Sequence, residues 1–123
     1  MNHSERKSIE TAVAELKPKM RGVNITFKVI ETGPQREVKS PKDGTPHSVL
    51  DAVVGDTTGT VRLPVWDGAI KTLQNGGTYT LTKGYTHLFK GSLRLHVGKF
   101  GTIAESDRNM LRVKTALDMS AID

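Results

Sequence analysis

The chain contains no cysteine, so a disulfide scaffold, a thiolate metal site and a cysteine nucleophile are excluded. It also lacks the long apolar run that a membrane-spanning helix requires. The segment 1–7 lacks the apolar core of a secretory signal. At 36% hydrophobic residues the composition is nevertheless too apolar for a disordered chain. We therefore expect a soluble globular protein in the cytoplasm.

Catalytic signatures are missing as well. The four histidines do not have the spacing of metal ligands. The sequence has no nucleophile elbow and no phosphate-binding glycine loop. The acidic residues Asp51, Asp56 and Asp67 fall in separate strand and turn positions instead of converging on one site. These absences predict a protein that is not an enzyme and that uses no metal and no cofactor.

Positive charge prevails, with 18 Lys+Arg against 13 Asp+Glu, a formal charge of +5 and a pI near 9.6. This balance favours polyanionic partners over acidic ones. A length of 123 residues allows one domain and hardly two. We divide the chain into an N-terminal extension (1–15), a central domain (16–106) and a C-terminal segment (107–123). The last segment shows no strand alternation and is either a second helix or a loosely ordered tail.

Alternation of apolar and polar residues, which is typical of half-buried strands, predicts about five strands. In the run from Val23 to Ile30 the odd-numbered residues are apolar and face the core. In the run from Val49 to Gly55 either parity fits the pattern. We favour the even-numbered residues as core there, because Asp51 would otherwise be buried. The other runs cover residues 60–66, 79–89 and 92–98.

Two short helices are predicted beside these strands. One spans Ser8 to Leu16 on the i, i+4, i+7 spacing of its apolar residues, and we expect it to cover one end of a barrel. The other follows Asp67, a candidate N-cap, and ends at Asn75-Gly76-Gly77. Five strands with a helix between the third and fourth match an all-β, five-stranded barrel of the oligonucleotide/oligosaccharide-binding (OB) fold.

Aromatic and basic side chains face away from the predicted core. Trp66 and Arg62 share the outer face of one strand, and Arg94 and His96 share that of another. Barrels of this kind bind single strands by stacking bases on aromatics and placing basic residues along the phosphates. A lone tryptophan is also often packed under a loop, but parity here favours exposure.

Tyr85 is the ambiguous aromatic. Counted from Leu81 along its strand, it falls on the core side. Gly84 precedes it, and a glycine inside a strand often marks a bulge that would turn the next side chain outward. The pattern alone leaves both orientations open for Tyr85 and Phe89. Further basic residues flank the predicted reversals: Lys83, Lys90 and Lys99.

Several stretches together resemble a known family, and they run in the family's order and spacing from about Leu16 to Ile103. This family comprises the simple single-domain single-stranded-DNA-binding proteins of archaea and their relatives in eukaryotic DNA-damage sensor complexes. The matching stretches are Leu16-Lys17-Pro18, Val23-Asn24-Ile25-Thr26-Phe27-Lys28-Val29, Val54-Gly55-Asp56-Thr57-Thr58-Gly59-Thr60-Val61, Val65-Trp66-Asp67, Lys83-Gly84-Tyr85 and Phe89-Lys90-Gly91-Ser92-Leu93-Arg94-Leu95.

The resemblance implies an OB fold whose aromatics stack on consecutive bases, at the positions of Trp66, Tyr85 and Phe89. It thereby favours the binding face for Tyr85. His96 stands where another aromatic is frequent in the family. The family's basic contacts map onto six positions here: Lys28, Arg62, Lys83, Lys90, Arg94 and Lys99.

These observations together predict a sequence-tolerant single-stranded-DNA-binding protein that protects exposed strands in replication, recombination and repair. We expect it to associate with the nucleoid as a monomer or weak homo-oligomer, with repair or replication proteins as candidate partners. One alternative is an RNA-binding OB domain that uses the same face. Another is a protein-interaction adaptor in which Trp66 and Phe89 anchor an interface.

Overall fold

Seven strands of one sheet carry most of the chain in the computed structural model, which describes residues 10–98, 101–107, 113–115 and 117–120. The sheet order is β1-β3-β4-β6-β5-β7, and β1 also pairs with β5 while β2 pairs with β3. Because β1 contacts both β3 and β5, the sheet closes on itself as a barrel. The strands are β1 (Val23–Thr32), β2 (Arg36–Lys39), β3 (Pro46–Asp56), β4 (Gly59–Trp66), β5 (Thr78–Phe89), β6 (Ser92–His96) and β7 (Thr102–Glu105).

The five predicted strands are present, and two short ones are added. β2 forms a hairpin with β3 and contains the basic residues Arg36 and Lys39. β7 lies beyond Gly98, whose φ of +79° favours glycine and separates β6 from β7. The predicted OB-type barrel is therefore confirmed, with two additional short strands.

The barrel interior contains the side chains that alternation assigned to it. Val23, Ile25, Phe27 and Val29 of β1 are at most 2% exposed. On β3 the even-numbered residues face the core, as the position of Asp51 suggested. Val49 is buried as well, although it lies on the opposite side of that strand, where neighbouring side chains cover it.

Neither predicted helix forms as an α-helix in the described residues. The first is a 3-10 turn over Val13–Glu15, and the proposed cap Ser8 lies outside the described residues. Val13 and Leu16 nevertheless enter the core, which matches the expected covering role. No helical turn in the described part of the chain has the length and apolar character that crossing a membrane would need.

The predicted N-cap at Asp67 is wrong, because its carboxylate bonds elsewhere. A 3-10 turn covers Asp67–Lys71, its cap is Trp66, and the Asp67 carboxylate accepts hydrogen bonds from the Ser48 N–H and from His47 Nδ1, both at 2.9 Å. The bond from Ser48 is the main reason that the pKa of Asp67 lies below its ordinary value. This side chain therefore ties the end of β4 to the start of β3 instead of capping a helix.

A bulge in β5 decides which way its aromatic side chains point. The three residues of β1 from Val23 to Ile25 face the four residues of β5 from Leu81 to Gly84, so β5 carries one extra residue. Lys83 in the bulge has a φ of +60°. Gly84 points inward, and a Cβ there would lie 2.5 Å from Leu81 Cδ2. The predicted bulge is confirmed, and Tyr85 faces outward.

The C-terminal segment forms part of the barrel wall where the structure describes it. β4 and β6 share a single pairing, Arg62 with Arg94. Beside it the Thr60 N–H donates to the Leu117 carbonyl at 2.8 Å, and the Arg62 N–H donates to Ser120 Oγ at 2.9 Å. Residues 113–115 and 117–120 therefore form neither the predicted helix nor a loose tail. They supply hydrogen-bond partners to backbone groups of β4 that β6 does not pair with.

Candidate nucleic-acid interface

The outward side chains of β3, β4, β6 and the second half of β5 form one surface, which we call the outer face. Strand register arranges them in rows across the sheet. Arg62 on β4 pairs with Arg94 on β6, which pairs in turn with His87 on β5. In the next row, Asp51 on β3 pairs with Pro64 on β4. Arg62 and Arg94 thus stand side by side near the centre of the outer face.

The three predicted stacking rings are all exposed on this face. Trp66 is 46%, Tyr85 39% and Phe89 51% exposed. Trp66 and Tyr85 line a first cleft of about 430 Å³ together with His96. Trp66 and Phe89 line a second cleft of about 140 Å³, which His96 also borders. Because the two clefts share Trp66 and His96, the rings lie along one continuous surface.

Tyr85 and His96 form a stacked pair in the wall of the first cleft. Their rings stack with centroids 4.9 Å apart and planes 15° apart. Burial lowers the pKa of His96, and the positive charge of His87 and Arg94 lowers it further, whereas Asp51 acts in the opposite direction. The imidazole is therefore mainly neutral at pH 7, and its ring also meets the His87 ring edge-on, with centroids 6.2 Å apart.

Phe89 stands at the tip of the β5–β6 hairpin. The two turn residues Lys90 and Gly91 both have positive φ, 52° and 82°, as in the tight turns that match strand twist. Lys90 Nζ lies 5.4 Å and Arg94 Cζ 5.3 Å from the centroid of the Phe89 ring. This geometry places a ring surface and two cations within one small area.

The predicted basic residues fall into separate groups. Arg62 and Arg94 line a shallow groove beside the second cleft, and neither has an ion-pair partner among the described residues. Lys83 is exposed at the bulge that precedes Tyr85. Lys99 lies outside the described residues.

The structure does not bring Lys28 to the clefts. It pairs with Gly55 on β3, whereas Trp66 pairs with Val49 on the same strand. Six residues of extended chain separate these positions, a distance of about 20 Å. Lys28 therefore stands near the other end of the barrel wall.

Sequence reasoning missed several residues of the second cleft. Arg36 on β2 lies 3.8 Å from Asp51 Oδ2 and lines the cleft with it. His87 also lines it and alternates with Tyr85 and Phe89 on β5, a pattern that could have identified it. No sequence signal indicated Arg36, because only the pairing of β2 with β3 brings it to this face. The described residues contain no group of three side chains suited to holding a metal ion.

Comparison with known proteins identifies the family. A family model described as single-stranded DNA binding protein Ssb-like, OB fold, matches residues 16–105. The chain belongs to this family. Among curated proteins, the Ssb-like chain is 33% identical over 101 residues to the single-stranded DNA binding protein Ssb of Saccharolobus solfataricus. That alignment covers 82% of this chain and 67% of the relative.

Solved structures agree with this Ssb-like fold. The solution structure of a hypothetical protein from Arabidopsis thaliana matches with a TM-score of 0.79 and 26% identity, over 100% of this chain and 90% of that one. The second OB-fold domain of replication protein A from Methanococcus maripaludis matches with a TM-score of 0.66 and 21% identity, over 83% and 99%. The family and fold class predicted from the sequence are confirmed, and the roles of individual residues stay predictions.

Proposed function

We propose that this Ssb-like protein binds single-stranded DNA on its outer face with little sequence preference. One observation carries the proposal: three exposed aromatic rings line two adjoining clefts, beside two arginines that have no ion-pair partner in the described chain. The family match and the relative named as a single-stranded DNA binding protein support the same function.

Binding combines stacking with phosphate contacts. Each base stacked on Trp66, Tyr85 or Phe89 contributes about 1–3 kcal/mol. Arg62 and Arg94 neutralise phosphates between the stacks, assisted by Lys83 and Lys90. In duplex DNA the bases are already stacked on one another, so the rings cannot reach their faces. The protein therefore selects unpaired strands.

This mode of action needs no chemistry on the strand. We infer that the protein acts by binding alone, that it covers strands exposed in replication, recombination and repair, and that it works beside the nucleoid as a monomer or weak homo-oligomer. Repair or replication proteins are the candidate partners. An apolar C-terminal segment free to bind a partner would support the adaptor alternative, but among its described residues Val113 packs against Gly55 and Leu117 against Gly59. Those two side chains are therefore already packed against the barrel.

Titration with short oligonucleotides tests the proposal. The intrinsic fluorescence of Trp66, the only tryptophan, is followed while oligo(dT), oligo(U) or a blunt duplex is added. We expect strong quenching by oligo(dT), weaker quenching by oligo(U) and almost none by the duplex. Tighter binding of oligo(U) would assign the face to RNA, and no quenching by either strand would reject nucleic-acid binding there.

A further inference from the structure

Two buried polar atoms on the outer face have no hydrogen-bond partner among the described residues: Asp51 Oδ1 and His96 Nε2. Buried polar atoms are nearly always hydrogen-bonded, so an exception calls for a physical explanation. Both residues line the second cleft, whose walls include the rings of Trp66 and Phe89. The two residues that carry these atoms therefore line the same small cavity.

Strand register explains how the cleft opens between them. Along β4 the N–H groups of Thr60 and Arg62 point toward β6 and bond to the C-terminal segment. The next residue on that side is Pro64, which has no N–H to donate. The pairing between β4 and β6 thus ends at Arg62 and Arg94.

Pro64 forms the floor of the cleft, with one of the two polar residues on each side. Asp51 pairs with Pro64 from β3. His96 lies two residues after Arg94 on β6, which places it across from Pro64 on the other side. Since neighbouring strands are about 5 Å apart, the Asp51 and His96 backbones are about 10 Å apart.

The hydrogen-bonding chemistry of the two atoms defines which ligand groups could pair with them. A carboxylate oxygen only accepts hydrogen bonds, so Asp51 Oδ1 requires a donor. The neutral imidazole can pair through Nε2 with a ring nitrogen. Cytosine and adenine each present an exocyclic amino donor next to a ring nitrogen acceptor. Thymine instead presents a carbonyl oxygen, which would face the lone pairs of Asp51.

We propose that the second cleft is a base-reading subsite that prefers a nucleobase with an exocyclic amino group over thymine. This inference rests on the proposed binding of single-stranded DNA and adds a preference at one position of an otherwise tolerant site. The Trp66 and Phe89 rings hold the base by its faces, while Asp51 and His96 read its edge. Arg94 lines both this cleft and the neighbouring groove that contains Arg62.

The test compares three strands of equal length at one salt concentration and one pH. They are oligo(dC), oligo(dT), and an oligonucleotide in which 2-pyrimidinone replaces cytosine, which removes only the amino group. We expect oligo(dC) to bind about tenfold more tightly than oligo(dT), as for one hydrogen bond to a charged acceptor. The 2-pyrimidinone strand should lose most of that advantage.

A pair of variants separates base reading from general electrostatics. Asp51→Asn and Glu37→Gln each remove one negative charge, and Glu37 is exposed on β2 outside the cleft. Glu37→Gln should bind every strand somewhat more tightly, and Asp51→Asn should do so for oligo(dT). Only Asp51→Asn should reduce the preference for oligo(dC) over oligo(dT), from about tenfold to about twofold or less.

The outcomes distinguish this inference from the proposed function. If all three strands bind the wild-type protein within a factor of about two, base reading is rejected while single-strand binding stands. A full preference for oligo(dC) in Asp51→Asn would also reject it. Failure of every strand to bind would instead reject the proposed function on which the inference depends.

Discussion

At the scale of single residues, the hairpin tip of β5 and β6 provides a matched comparison. Phe89 and Leu88 are adjacent, and they are exposed to a similar extent, 51% and 45%. Because neighbouring strand residues point to opposite faces, only Phe89 lies on the outer face. If these side chains contributed to binding only as exposed apolar surface, removing either one would weaken binding to a similar extent.

We predict that Phe89→Ala weakens binding of oligo(dT) by about 1–3 kcal/mol, since one base loses its stacking partner. Leu88→Ala should leave binding nearly unchanged. Fluorescence titration measures both affinities, and thermal unfolding verifies that both variants are folded. An equal loss in the two variants would mean that the hairpin tip contributes only as an apolar surface.

His96 gives a second prediction at this scale, on the pH dependence of stability. Its pKa in the folded protein lies below the ordinary value, because burial disfavours the imidazolium and because His87 and Arg94 repel it more than Asp51 attracts it. The unfolded chain therefore takes up the proton first as the pH falls. Stability from this residue is present above a pH of about 6.5 and is lost on acidification through the folded pKa.

The measurement is the unfolding midpoint at pH 7.5 and pH 5.5. The wild-type protein should lose more stability over this interval than His96→Phe, which keeps a ring against Tyr85 but has no titrating nitrogen. If both proteins lose the same amount, His96 does not carry the acid sensitivity.

At the scale of structural elements, the C-terminal segment acts as a bridge between β4 and β6. The Ser120 hydroxyl accepts a hydrogen bond from the Arg62 N–H and donates one to the Leu93 carbonyl. Ser120 is 7% exposed, so water cannot readily replace these bonds. One hydroxyl thus joins two strands whose direct pairing is a single bridge.

We predict that Ser120→Ala lowers the free energy of unfolding by about 1–3 kcal/mol, because it leaves a buried N–H and a buried carbonyl without partners. Thr115→Ala is the control, since Thr115 is exposed in the same segment. Urea unfolding measures both variants. A Ser120→Ala protein as stable as the control would show that the segment does not close the wall.

At the scale of the whole molecule, the net charge of +5 matters less than where the cations stand. Arg62 and Arg94 are adjacent on the outer face, whereas Lys28 lies about 20 Å from the row of Trp66 along the strand direction. In a plot of log affinity against log salt concentration, each phosphate that a cation neutralises makes the slope steeper by about 0.7 for single strands. The salt slope therefore counts the cations that contact the strand.

We predict that Arg62→Gln reduces the slope of log affinity against log salt by about 0.7 and that Lys28→Gln leaves it unchanged. Both changes remove one positive charge, so their effect on the distant field of the protein is the same. Titrations with oligo(dT) at several salt concentrations give the slopes. Equal decreases of the slope in both variants would mean that Lys28 contacts the strand, as the resemblance to the family implies.

The sequence by itself determined the elements whose signals are local. Alternation placed Phe27 in the core and Trp66 on the outer face, because side-chain direction along a strand depends only on parity. Gly84 indicated the bulge, since a glycine inside a strand often marks a local irregularity of the backbone. The barrel followed from such signals, whereas the outward orientation of Tyr85 and Phe89 was implied only by the resemblance to the family.

Only the tertiary structure decided how distant segments meet. Asp67 was expected to cap a helix, but it bonds to Ser48 because β3 passes beside it. Ser120 closes the wall between β4 and β6, although nothing in its neighbourhood in the sequence indicates this. Asp51 and His96 share a cleft because three strands bring them to either side of Pro64. These contacts join residues far apart in the chain, so a local pattern contains no information about them.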